Sequence, residues 1–281
     1  MPINPDAAGS VGEPTEISWT SKQSLLYALG VGAGVSDPTG FELEFTTENS
    51  DGIIQRALPT MGVVIGGGRT PEFGSFNPVF LLHAEQEITC HREIPAEGNA
   101  TATGKVGAIY DKGKAALVYL ETDVVGDDDQ PLWSTRAGLF LGGEGGWGGD
   151  RGPSNDWAAP DRDPDHVIST ATRADQALLY RLSGDRNPLH SDPAFAAAAG
   201  FDQPILHGLC TYGFTGRALL HATCGSDPAR FGSMGGRFKS PVMPGEVLEI
   251  HAWEVDEETV LFQTWVGGRV VFDAGVMTRR A

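Results

Sequence analysis

Cysteine is scarce in this chain: Cys90, Cys210 and Cys224 are the only three among 281 residues, and none lies in a C-x-x-C or Cys/His ligand spacing. Three thiols cannot all pair with one another, so they read as buried or incidental thiols of a reducing compartment, and the spacing argues against a zinc site. Long apolar runs are missing as well; no stretch approaches the roughly 20 residues that a membrane span requires. The opening Met1-Pro2-Ile3-Asn4-Pro5-Asp6 has neither the basic start nor the apolar run of a signal peptide, which predicts a cytoplasmic protein with no membrane partner. Positive charge is the third shortage. With 20 Lys+Arg against 37 Asp+Glu, the formal charge is −17, and a chain this acidic is repelled by nucleic acid and by anionic membrane surfaces.

What is present is a core-forming composition, with 40% hydrophobic residues and a length that supports one large domain or two ordinary ones. The charge is unevenly placed. From Arg173 to Lys239 there are 7 basic and 5 acidic residues, a local +2 that leaves −19 for the rest of the chain. An anionic ligand would bind there; chance clustering is the plainer alternative.

Gly142 to Asp165 has the Gly, Pro and Asp density of a structureless connection and divides the chain near its middle. The expected organisation is therefore an N-terminal half over residues 1–141, a linker over 142–165 and a C-terminal half over 166–281. The halves carry a weak internal repeat. Gln23-Ser24-Leu25-Leu26-Tyr27-Ala28-Leu29 aligns at an offset of 153 with Gln176-Ala177-Leu178-Leu179-Tyr180-Arg181-Leu182, with five of seven positions identical. In that register Gly32 faces Asp185, so the first copy has no acid where the second has one, as duplication followed by loss of chemistry would produce.

Each half reads as helix followed by antiparallel meander, an α+β arrangement. In the second half, Asp192 before Pro193 is a helix cap, Ala194–Ala199 a short helix closed by Gly200, and a longer helix is expected from just after Pro204 to about Ala222. Its Gly208, Gly213 and Gly216 would let a neighbouring backbone come close. Strands are expected from Glu246, over Val260–Val266 and over Arg269–Val276, and in the first half over Ala84–Glu93, Thr101–Tyr110, Ala115–Asp123 and Trp133–Leu141.

Two motif-like stretches carry little weight. Gly143-Glu144-Gly145-Gly146-Trp147-Gly148 satisfies G-x-G-x-x-G, but Pro153 and Pro160 follow where a dinucleotide site needs a helix. Asp127-Asp128-Asp129 lacks the alternating ligands and distal Glu of a calcium loop and reads as a solvated turn. The informative stretch is Tyr180-Arg181-Leu182-Ser183-Gly184-Asp185-Arg186-Asn187-Pro188-Leu189-His190, which sets an acid, an amide and an imidazole on a short turn before a helix, outside any periodic core pattern. A capped loop, with Asp185 and Asn187 bonded to backbone and His190 packed, is the structural alternative.

The stretch resembles the signature of the (R)-specific enoyl-CoA hydratases, the hydratase 2 or MaoC-like dehydratase family. Pro204-Ile205-Leu206-His207-Gly208-Leu209-Cys210 is similar to the family's helix-start segment, and Arg237-Phe238 with Pro241-Val242-Met243-Pro244-Gly245-Glu246 to its later strand entry. Leu58-Pro59-Thr60, Leu81-Leu82-His83 and the Gly-rich linker are similar to its long members. The resemblance implies a double hotdog, two halves each with a long helix wrapped by an antiparallel sheet, the first degenerate and the second catalytic. It implies reversible hydration of a (2E)-enoyl-CoA to the (3R)-3-hydroxyacyl-CoA, with an acyl-CoA thioester as partner.

By that analogy Asp185 and His190 hold the water and pass protons, Asn187 positions the water or the acid, and the backbone N–H of Gly208 stabilises the thioester oxyanion. No metal or organic cofactor is required, since the thioester acidifies its own α-carbon. For coenzyme A phosphates the candidates are Arg237 and Lys239, followed by Arg217 and Arg186; each has an ordinary surface cation as its alternative. His207 borders the same region, and packing or capping the helix is its first reading. Leu58–Val64 and Leu81–His83 are placed near an acyl channel. A hotdog thioesterase and a non-catalytic acyl-thioester-binding subunit remain as alternatives, and exposed sheet edges make a homodimer plausible.

Overall fold

The computed structural model describes residues 3–280 except residue 39. Its ten strands are β1 (Thr15–Trp19), β2 (Leu81–Cys90), β3 (Gly98–Asp111), β4 (Ala115–Gly126), β5 (Pro131–Gly142), β6 (His166–Ala171), β7 (Phe231–Phe238), β8 (Val247–Glu254), β9 (Thr259–Val266) and β10 (Arg269–Arg279). They form one antiparallel sheet in the order β1-β3-β4-β5-β2-β7-β10-β9-β8-β6. Five strands come from each half, and the seam is β2 against β7, where Ile88 pairs with Met234 and Thr89 with Ser233. Both halves contribute to one buried cluster, from Trp19, Tyr27 and Trp133 to Tyr212, Phe214 and Phe272.

The helices are α1 (Ser21–Gly30), α2 (Leu43–Thr46), α3 (Gly62–Ile65), α4 (Gln176–Tyr180), α5 (Pro193–Ala198) and α6 (Gly208–Cys224). This corrects the expectation of a long helix in each half. Among the described residues only α6, with 17 residues, is one; in the first half the corresponding stretch is a short Pro59–Met61 turn running into the four-residue α3. Thr60 of that turn lies against Gly216, where an added Cβ would overlap its methyl, and Gly213 abuts Val31 and the Tyr27 hydroxyl. The small residues of α6 are thus where the N-terminal half closes on it. No helix among the described residues is long and apolar enough to cross a membrane.

The repeated segments meet across the two halves. Gln176 Nε2 donates to the Gly30 carbonyl at 2.7 Å, and the rings of Tyr27 and Tyr180 lie 6.2 Å apart. Gly32, the counterpart of Asp185, has φ +83, and a side chain there would run into the Phe214 ring. The first copy therefore has no room for an acid at that point.

Residues 143–165 contain no helix or strand, yet they are held in place. The Asp111 carboxylate accepts from the N–H groups of Gly146 at 2.9 Å and Gly148 at 2.7 Å, and Trp157 Nε1 donates to the Gly275 carbonyl at 3.1 Å. The glycine N–H groups that mimic a phosphate cradle are occupied by a carboxylate of the chain itself. All three cysteines are free and buried.

Candidate active site

The central motif folds into a turn for local reasons. After α4, the turn Arg181–Ser183 ends at Gly184, whose φ of 139° is open only to glycine without strain. Asp185 Oδ1 then accepts from the Asn187 N–H at 3.1 Å, and Asn187 Oδ1 from the Leu189 N–H at 3.0 Å, capping a short turn that has Pro188 at its first position. Asp192 caps α5 in the same manner, through the N–H groups of Ala194 and Phe195. The backbone contacts of the capped-loop alternative are all present. They consume one oxygen of Asp185 and the oxygen of Asn187, leaving the second Asp185 oxygen and the Asn187 amide nitrogen without a partner among the described residues.

His190 is buried, and its Nδ1 lies 2.9 Å from the Ile205 carbonyl. A carbonyl can only accept, so Nδ1 carries the proton and Nε2 presents a lone pair. Burial lowers the His190 pKa below its ordinary 6.5, with the Ile205 carbonyl and the Asp185 charge opposing. The ring is therefore a neutral base at neutral pH. His207 stacks on it, with centroids 3.8 Å apart and planes at 28°, and its Nε2 lies 3.3 Å from the Asp185 backbone carbonyl. Burial first, and then the His190 ring, lowers the His207 pKa to about 4. A neutral His207 thus ties the Asp185 loop to the start of α6.

Asp185, His190 and His207 bring their ligand-type atoms within 4.8 Å of one another. Two stacked imidazoles are a poor cradle for a metal ion, however, because one ion cannot lie in both nearly parallel ring planes at a bond length of about 2.0–2.1 Å. The geometry suits an oxygen held between a carboxylate and an imidazole.

Helix α6 begins at Gly208, later than the sequence pattern suggests, because Pro204–His207 is extended: the Leu206 N–H bonds to the Val242 carbonyl, and the Ile205 carbonyl is taken by His190. That delay puts Gly208 and Leu209 at the first two helical positions, where their N–H groups have no carbonyl partner among the described residues and face outward at the positive end of the helix. The Phe238 ring covers Gly208, 3.2 Å from where a Cβ would stand.

The coenzyme A candidates fare unequally. Arg217 is removed from the set. It is buried in α6 with NH1 at 2.9 Å from both oxygens of Glu42 and Nε donating to the Val31 carbonyl at 3.0 Å. Arg237 alternates with Phe238 along β7, so it points to the opposite face of the sheet from Gly208 and pairs with Glu85 at 2.7 Å. Lys239 is exposed and pairs with Asp273 at 2.8 Å. Arg186, next to Asp185, is exposed and has no partner among the described residues. Of the proposed channel segments, Leu58 and Met61 are core residues, whereas the Val64 carbonyl comes within reach of Gly184. The sequence places His83 only near an acyl channel, yet its Nε2 is buried without a partner among the described residues and its ring packs on Phe238. No sequence pattern marks that inward turn.

Both halves of the chain are similar to known proteins. The MaoC-like domain family matches residues 156–271, and the MFE-2 hydratase 2 N-terminal domain family matches residues 17–143. The 3-hydroxyacyl-thioester dehydratase Y of Mycobacterium tuberculosis is 46% identical, with 99% of this chain and 98% of that protein aligned. The chain belongs to the MaoC-like hydratase 2 family. The enoyl-CoA hydratase ChsH3 of the same organism is 42% identical over 90% of each chain. A crystal structure of a MaoC-like dehydratase from Phytophthora capsici superposes with a TM-score of 0.87 at 34% identity, covering 99% of this chain and 98% of that one. Within this family the ten-stranded sheet around α6 is a double hotdog whose N-terminal half has given up its long helix.

Proposed function

We propose that this MaoC-like chain is a hydro-lyase that interconverts a (2E)-enoyl-CoA and the (3R)-3-hydroxyacyl-CoA, with Asp185 and His190 acting on one water. The observation that carries the reading is the Asp185 carboxylate and the neutral His190 ring within 4.8 Å of each other, together with a Gly208 N–H at the start of α6 that has no partner among the described residues. The water oxygen adds to C3 while one of its protons passes through the Asp185–His190 pair to C2; dehydration runs the same steps in reverse. Negative charge that builds on the thioester oxygen meets the Gly208 N–H, which is fixed in place before the reaction begins. Asn187, its oxygen committed to Leu189, directs its amide nitrogen to the water or to Asp185. The (3R) outcome is what the hydratase 2 resemblance implies. No further group is needed for any step, and Arg186 is the cation best placed for a coenzyme A phosphate.

The test is loss of enoyl absorbance with crotonyl-CoA and with a medium-chain enoyl-CoA, for wild type and Asp185→Asn, followed by chiral analysis of the product. Wild type is expected to form the (3R)-hydroxyacyl-CoA and the variant to lose about 10²–10⁴-fold in kcat. Release of free coenzyme A without hydration would establish a thioesterase instead. Tight acyl-CoA binding without any turnover would establish a binding subunit.

A further inference from the structure

Strand β2 carries a bulge at its start. Its register against β5 slips between His83, opposite Leu139, and Glu85, opposite Gly138, so that Ala84 is the extra residue. In an unbroken strand His83 and Glu85 would share a face. Here Glu85 turns outward to Arg237 and to the Tyr119 hydroxyl, at 2.7 Å in each case. His83 turns inward, its ring edge-on to Phe238 with centroids 5.2 Å apart. Phe238 is the ring that covers Gly208. Bulges beside active sites serve to re-aim a side chain in this way.

The re-aimed group is unsatisfied. His83 Nε2 is buried with no hydrogen-bond partner among the described residues, and its ring packs on Phe238, the ring that lies over Gly208. A buried polar atom without a partner is costly, and native proteins leave few of them. Burial also lowers the His83 pKa, so the ring is neutral, with the Glu85 backbone and the Gln86 side chain opposing. A neutral imidazole nitrogen donates or accepts according to tautomer, and a hydroxyl or water does both. A thioester oxygen only accepts, and the Gly208 N–H already serves it.

We propose that His83, supplied by the N-terminal half, makes a hydrogen bond through Nε2 to the oxygen that becomes the 3-hydroxyl of the substrate. This rests on the hydratase reading above and deepens it: the half that lost its own acid still supplies one contact to the reacting oxygen. The ligand class it distinguishes is 3-hydroxyacyl thioesters against saturated ones.

Affinities for (3R)-3-hydroxyoctanoyl-CoA and octanoyl-CoA, measured by calorimetry in an Asp185→Asn background that stops turnover, separate this role from a structural one. His83→Leu, which keeps the apolar contact with Phe238, is expected to weaken the hydroxyacyl ligand about tenfold. Octanoyl-CoA, which lacks the 3-oxygen, should bind within about twofold of the unmodified background, and His83→Gln should restore part of the hydroxyacyl affinity. His83→Ala provides the same comparison should leucine disturb the fold. Equal weakening of both ligands, or of neither, overturns the inference. Wild-type hydration is scored separately: a wild type that hydrates no enoyl-CoA defeats the functional reading, whereas an active wild type with no ligand-selective change at position 83 defeats this one alone.

Discussion

Glu42→Gln should destabilise the protein more than any single active-site substitution. Glu42 lies outside the Asp185–His190 loop, fully buried, in a left-handed backbone conformation with φ +70. Its carboxylate accepts from Arg217 NH1 at 2.9 Å through each oxygen, from His221 Nε2 at 2.7 Å and from the Gly34 N–H at 2.9 Å. Burial alone would raise its pKa, but the His221, Arg217 and Gly34 contacts together lower it from 4.5 to about 2. At about 1.4 kcal/mol per pH unit, that difference corresponds to about 3–4 kcal/mol of stability at neutral pH. Removing one partner of a buried ion pair independently suggests about 3–5 kcal/mol, since Arg217 is left charged without a counter-ion.

Because the folded value lies below the unfolded one, the stabilisation is complete above about pH 4.5 and is lost as pH falls toward 2. Urea unfolding of wild type and Glu42→Gln at pH 7 should therefore differ by about 3–4 kcal/mol, and the gap should shrink below about pH 4.5, where the unfolded wild-type chain takes up a proton that the folded one binds only near pH 2. The two halves share one core, so a single cooperative transition is expected. A difference below about 1 kcal/mol at pH 7, or one that does not change with pH, would refute the reasoning.

Gly208→Pro tests the proposed oxyanion donor with the helix preserved. Proline is favoured at the first helical position, and His207, with φ −58 and ψ 135, already has the conformation that a following proline requires. The variant should stay folded by circular dichroism yet lose about 10²–10³-fold in kcat, whereas Gly208→Ala, which keeps the N–H and only crowds Phe238, should lose much less. Equal losses in the two variants would remove the N–H from the mechanism. For pH dependence, His190 must be unprotonated to act as a base, and burial holds its pKa below 6.5. The acid limb of kcat/KM should therefore rise with pH and reach its midpoint below 6.5; a midpoint above that value would exclude His190 as the base.

The sequence by itself determined the elements with strong periodicity or local chemistry. Strands β3, β4, β5, β8, β9 and β10 follow from alternation, the cap and proline at Asp192 and Pro193 from turn chemistry, and the Asp185–Asn187–His190 turn from its glycine and proline positions. Strand β7 escaped that reading because Phe231–Phe238 contains three glycines, which weaken a strand signal. They are there because neighbours stand too close for a side chain, Phe272 over Gly236 and Thr278 beside Gly232.

Only the tertiary structure decided the rest, because these outcomes depend on contacts between residues far apart in the chain. Arg217 reads as a surface cation until Glu42, 175 positions away, is seen to bury it. The glycine-rich stretch reads as a free linker until Asp111 takes its N–H groups. The start of α6 depends on the Ile205 and Leu206 backbones being held by His190 and Val242. His83 turns toward Asp185 through a one-residue slip against β5, and a register is a property of two strands together. Local residue types set which groups could do chemistry; packing of the two halves set which of them face the same point.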